Sequence, residues 1–120
     1  MLAYQTMRIS ELAKRTGVGI GMIRYYEKHG ILTPAERRVE DGYRFFTETH
    51  VRELEYIKAM QGLGFTVEEM KPLKALEGRS GPETSASKRV LLKKRLDAVE
   101  QQIACLEGIR TELRKQIEQL

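Results

Sequence analysis

The sequence predicts a mainly α protein: a winged helix-turn-helix with a small β-hairpin wing, followed by one long helix of coiled-coil character. Three features lead there. Two short amphipathic stretches meet at Thr16-Gly17-Val18, and an Asp41-Gly42 pair separates two short runs rich in arginine and aromatic residues. Beyond residue 83 lies a proline-free stretch whose apolar residues step by four and three.

Ser10 is the expected N-cap of the first helix, because its hydroxyl can accept a hydrogen bond from an unpaired amide of the first turn. Ile9, Leu12 and Ala13 supply its apolar face, and Gly17 supplies the positive φ that a tight turn between helices favours. The second helix is expected over about 20 to 29, stopping at Gly30. Helix, short glycine-containing turn and helix form the helix-turn-helix layout.

At about 100° per residue, Met22, Ile23 and Tyr26 of the second helix form the inward stripe. Gly21, Arg24, Tyr25 and Lys28 take the opposite face. Arg24 and Lys28 are four apart and repel by a few tenths of a kcal/mol, roughly, a cost offset if an anion lies over both. After Pro34, the Asp41-Gly42 pair marks a hairpin whose favoured two-residue turn takes positive φ at both positions. This wing carries Arg37, Arg38, Tyr43 and Arg44.

Thr47 can cap a third helix over about 48 to 61, with Val51, Leu54 and Ile57 at helical spacing and Gly62 and Gly64 at its end. Thr66 and Glu69 form a capping box for a fourth, which Pro72 should kink or shorten. Met60, Phe65 and Met70 are expected in the core. The glycine, serine and proline of residues 78 to 83 read as a hinge between a unit over 7 to 77 and a helix over 84 to 120. In that helix Leu92, Leu96, Val99, Ile103, Leu106, Leu113 and Ile117 form a heptad seam, interrupted at Arg110. A lone helix roughly 55 Å long cannot bury its own stripe, so it needs a partner, most simply a second copy of itself.

Composition narrows the function. The formal charge is +4, and residues 1 to 47 hold eight Lys/Arg against five Asp/Glu, so most of the surplus sits at the front. No membrane span or secretory signal is present in the sequence, which points to the cytoplasm. A single cysteine, Cys105, forms no internal disulfide, and with two scattered histidines it makes no metal site. Two places past a seam position and without His or Lys beside it, Cys105 reads as a passive thiol, with a redox role as the alternative. "GVGIG" lacks the preceding strand and the glycine spacing of a dinucleotide loop. No paired carboxylates, nucleophile-base set or cofactor motif is found, and no catalytic role is expected.

The stretches "MRISELAKRTGVGIGMIRYYEKHGIL" and "DGYRFFTETHVRELEYIKAMQGLGFTVEEM", then a hinge and a long helix, resemble the MerR family of bacterial transcriptional regulators. The resemblance implies a homodimer held by antiparallel long helices, with the second helix of each unit in a major groove of promoter DNA and the wings on flanking backbone. It also implies that the dimer kinks and untwists an overlong promoter spacer for RNA polymerase, with Arg24, Tyr25 and Tyr26 anchoring the recognition helix and Tyr43 and Arg44 the wing. Lys28, Arg37 and Arg38 are further candidate contacts. Metal-responsive members place cysteines at the start of the long helix and in a loop after it; the hinge here has none. No effector is named by these residues. A second reading, from a different class, is a coiled-coil interaction module with vestigial DNA binding.

Overall fold

The computed structural model describes residues 5 to 120 and contains five helices and one two-stranded sheet among them. They fall into two units, one ending at Ala75 and the other running Leu76–Leu120. In the first unit, helix α1 spans Ile9–Thr16 and α2 spans Ile20–Lys28; strands β1 (Glu36–Arg37) and β2 (Arg44–Phe45) form the wing, and α3 (Glu48–Gly62) and α4 (Val67–Ala75) complete it.

Helix α1 begins earlier than its best capping residue suggests. Its N-cap is Arg8, in extended conformation and without a side-chain cap bond, and Ser10 lies inside the first turn. The cause is tertiary: Met7 and Phe46 exchange both backbone hydrogen bonds in an antiparallel bridge, at 2.9 and 2.8 Å. That bridge holds Met7 extended beside the wing and lets the chain turn helical only afterwards. At the other end Thr16 is buried; its hydroxyl donates to the Leu12 carbonyl at 2.8 Å, and Lys58 Nζ of α3 donates to the Thr16 carbonyl at 2.6 Å. A cation on the last carbonyls of a helix is favourable.

Helix α2 ends as expected at Gly30. The Ile31 amide donates to the Tyr26 carbonyl and the Gly30 amide to Glu27, the paired bonds of a Schellman ending, while Ile31 and Tyr26 are both buried. One expectation fails on this helix: Ile23 and Tyr26 are buried, but Met22 is 42% exposed. The inward stripe is narrower than the helical wheel implied: Ile23 and Tyr26 are enclosed, while Met22 at its edge stays open to solvent.

The wing is a hairpin, with Glu36 opposite Phe45 and Arg37 opposite Arg44. Its turn differs from the expected two-residue form. Arg38 and Tyr43 close a four-residue loop, through the Arg38 amide to the Tyr43 carbonyl at 2.9 Å and the Gly42 amide to the Arg38 carbonyl at 2.8 Å. Only Gly42 takes positive φ, at 70°. Asp41 instead uses its carboxylate, accepting the Tyr43 amide at 3.0 Å and pairing with Arg38.

Helix α3 starts after Thr47, whose amide donates to His50 Nδ1 at 3.0 Å, so that histidine fills the place of the usual glutamate in the capping box. Val67 opens α4 after the expected box, with Thr66 and Glu69 bonded reciprocally at 2.9 and 3.2 Å. Pro72 lies inside this helix, which ends three residues later. Met70, Phe65, Leu54, Ile57 and Leu73 join Leu12 and Ile23 in the core, whereas Met60 is half-buried.

In the second unit α5 runs Pro82–Glu118, two residues ahead of the expected start, since proline suits the first helical position, where its missing amide costs nothing. None of its residues is buried. Val99 is half-buried, and Leu92, Leu96, Ile103, Leu106, Leu113 and Ile117 are exposed along one stripe, with Ile109 exposed beside them. No helix among the described residues is long and apolar enough to cross a membrane.

Leu54 is completely buried on α3. Leu54→Ala should lower unfolding free energy by about 2 to 5 kcal/mol, measured as a reduced urea midpoint with an unchanged m-value.

Candidate nucleic-acid interface

Burial of Ile23 and Tyr26 fixes the rotation of α2, and therefore what it shows to solvent. Arg24, Tyr25 and Lys28 point outward, as expected. Tyr25 is 43% exposed, its ring tilted against His29 at 4.2 Å between centroids and edge-on to Tyr26 at 6.1 Å. Tyr26, in contrast, is 2% exposed, so it is a core residue and not part of the accessible face. Burial, with a smaller contribution from Tyr25, pushes its phenol pKa up and keeps it neutral.

The wing arginines are braced. Arg38 pairs with Asp41, and this hydrogen bond, with the Tyr43 amide, holds the Asp41 carboxyl below its ordinary pKa. Arg37 Nη1 donates to the Gly42 carbonyl at 3.3 Å. Arg44 pairs with Glu27 of α2, and the second Glu27 oxygen accepts the Ala35 amide at 2.6 Å. One carboxylate thus ties the wing and the chain leading into it to α2. Burial pushes the Glu27 pKa up, but the bonds from Ala35 and Arg44 outweigh it and leave the carboxyl below its usual range.

Arg24 and Lys28, in contrast, make no side-chain hydrogen bond or ion pair among the described residues. Both line a groove with Arg37 and Arg44. On the other side of Arg24, a cleft of about 600 Å³ opens between the start of α1 and the wing, lined by Arg8, Tyr43, Arg44 and Asp41 among others. There the Arg8 guanidinium carbon lies 3.7 Å from the centroid of the Tyr43 ring, and that of Arg38 at 5.5 Å.

The structure therefore gathers Arg24, Tyr25, Lys28, Arg37, Arg38, Tyr43 and Arg44 on the accessible surface of α2 and the wing. Sequence reasoning missed Arg8 and Glu27. A basic residue just ahead of a helix carries little signal, but Glu27, the one acidic residue in a cationic helix, could have been read as a brace. Cys105 is exposed on α5, and no group of three or more His, Cys, Asp or Glu suited to a metal ion occurs among the described residues.

A cationic helix face beside a braced wing is the surface of a DNA-binding regulator, and comparison with known proteins agrees. The model of the MerR helix-turn-helix family of regulatory proteins matches residues 7–76, and a MerR DNA-binding model matches residues 51–116. The chain is 36% identical over 107 residues to the transcriptional regulator CueR of Escherichia coli O6:H1, covering 89% of this chain and 78% of that one. A mercuric resistance operon regulatory protein of Bacillus cereus is 47% identical over 66 residues, 55% of this chain and 49% of the relative. Among solved structures, the transcription regulator PbrR691 of Ralstonia metallidurans CH34, in complex with lead(II), superposes with a TM-score of 0.76 at 26% identity, covering 91% of this chain and 84% of that one. The chain belongs to the MerR family: it is a DNA-binding transcriptional regulator and not an enzyme. These findings do not favour the reading as an interaction module with vestigial DNA binding.

Because the Glu27 pKa is depressed, its bonds to Ala35 and Arg44 stabilise the fold above the ordinary carboxylate range, and that contribution is lost as pH falls through the folded-state value. Glu27→Gln should lower stability at neutral pH and flatten the loss on acidification below about pH 4.5, read as urea midpoints across pH.

Proposed function

We propose that this regulator binds double-stranded promoter DNA as a homodimer, with α2 in the major groove and the wing on the flanking backbone. The observation that carries the reading is the contrast in pairing. The wing arginines Arg37, Arg38 and Arg44 each have an intramolecular partner, which orients them, whereas Arg24 and Lys28 on α2 have none among the described residues. Repulsion between two unpaired cations four apart is relieved when an anion spans them, and phosphates and guanine edges meet arginine in this way. Arg24, Tyr25 and Lys28 contact the groove; Arg37, Arg38, Tyr43 and Arg44 position the wing on phosphates. Tyr26 acts through the core, by fixing the rotation of α2.

The two units divide the work: the first reads DNA, and α5 joins two copies. An exposed apolar stripe along a 37-residue helix supports the second part. Two reading heads on one rigid dimer can hold DNA in a distorted form, at a deformation cost of several kcal/mol, roughly, that phosphate contacts offset. Distortion of an overlong spacer would realign promoter elements for RNA polymerase, a role that belongs in the bacterial cytoplasm. Cys105, exposed on α5, is read as a passive thiol, with a response to oxidants as the alternative.

Arg24→Ala should weaken binding to the cognate promoter by about 1 to 3 kcal/mol if Arg24 reads a base, or reduce the salt slope if it grips a phosphate. Titrations by fluorescence anisotropy at several salt concentrations separate the two, and unchanged affinity and slope would remove Arg24 from the interface. Leu106→Glu places a charge in the centre of the seam and should convert the dimer to monomer in sedimentation. A persisting dimer would refute the assignment of α5.

A further inference from the structure

We propose that Arg8, stacked on Tyr43, is a DNA-phosphate contact that seats one backbone phosphodiester in the cleft between the start of α1 and the wing. The inference rests on the DNA-binding reading above and extends it to a residue outside the recognition helix and the wing.

Among the described residues the Arg8 side chain makes no hydrogen bond or ion pair. It is the N-cap of α1, but it caps through its backbone alone: its carbonyl accepts the Glu11 and Leu12 amides at 3.1 and 3.0 Å, and the side chain makes no cap bond. Among the described residues the guanidinium forms no ion pair with a carboxylate, and it lies over the face of the Tyr43 ring at 3.7 Å. Stacking on an aromatic ring restricts the side chain while leaving the in-plane N–H groups free, which is the state in which arginine grips a phosphate with a pair of parallel bonds.

The charges around the cleft favour an anion. Of its lining groups, Arg44 is paired with Glu27, and Asp41 is paired with Arg38. Arg8 and Arg24, one from the start of α1 and one from α2, have no ion-pair partner among the described residues, and both border the same space of about 600 Å³. The Met7–Phe46 bridge fixes Arg8 relative to the wing, so the spacing of the cations does not depend on a loop. A phosphodiester seated there would be continuous with a backbone followed by the wing. It would also explain why Tyr43, 48% exposed at the cleft, offers its ring as a platform instead of packing into the core.

The test uses the full chain and a fluorescein-labelled mixed-sequence duplex, with affinity measured across a chloride series and repeated in inorganic phosphate at matched ionic strength. Arg8→Ala should lower the magnitude of the log K against log salt slope by about 0.9 per subunit, with a several-fold loss of affinity at the lowest salt. Arg8→Lys should keep the slope and lose part of the affinity, since the charge remains and the stacked fork does not. Tyr43→Leu should lower affinity with the slope unchanged. A wild-type slope in Arg8→Ala, while the wild type itself shows steep salt dependence, would overturn the proposal and leave the DNA-binding reading intact. Absence of salt dependence in the wild type would defeat that reading itself. Specific competition by inorganic phosphate that Arg8→Ala abolishes without a change of slope would overturn the assignment to the DNA backbone. Circular dichroism of each variant distinguishes loss of a contact from loss of fold.

Discussion

A nine-residue helix has almost no stability in isolation, so the orientation of α2 depends on two side chains, Ile23 and Tyr26, held in the core. Everything the reading face presents follows from that burial. With those two residues inward, Arg24, Tyr25 and Lys28 are turned out. The buried Tyr26 carbonyl then receives the amides of Ile31 and Leu32, which directs the chain away from α2 and toward the wing. The core is small and the helices are short, so little else could set the angle.

Polar contacts extend this constraint outward. Glu27 follows Tyr26 directly and joins α2 to the Ala35 amide and to Arg44 of the wing. Arg15 of α1 pairs with Glu48 of α3, and Glu53 of α3 accepts from Thr33 and from Lys74 of α4. Solvent screens the exposed pairs among these, so their main effect is geometric. Acidic residues brace the scaffold and the wing, and among the described residues none pairs with Arg24 or Lys28 of α2. A modest formal charge of +4 thereby becomes a directed one.

The long helix is governed by a different rule. Among the described residues none of α5 is buried and most of its apolar stripe is exposed, whereas the first unit has its own core. Arg110 interrupts the stripe between Leu106 and Leu113, and a charged residue at one seam position lowers stability while restricting which registers a partner helix can adopt. The contrast between a unit with its own core and a helix with an exposed apolar stripe follows from how each segment satisfies its apolar residues.

Much of this was legible in the residues alone. Local signals determined the helices, the glycine endings, the Thr66 and Glu69 box, the presence of a hairpin and the seam of α5, because each depends on neighbours within a few positions. Only the tertiary structure decided the rest. Ser10 is a better cap than Arg8, yet the Met7–Phe46 bridge overrides it. Met22 lies within the apolar arc of the helical wheel, yet it stays largely open to solvent, whereas Tyr26 is enclosed. Asp41-Gly42 marks a turn, but the pairing of Asp41 with Arg38 and with the Tyr43 amide selects a four-residue loop over a two-residue one. The meeting of Arg8 with Tyr43, 35 positions later in the chain, has no sequence signature at all. Periodicity reports which face of an element is apolar; what covers that face, and which charges are left over once the covering is complete, depends on residues distant in sequence.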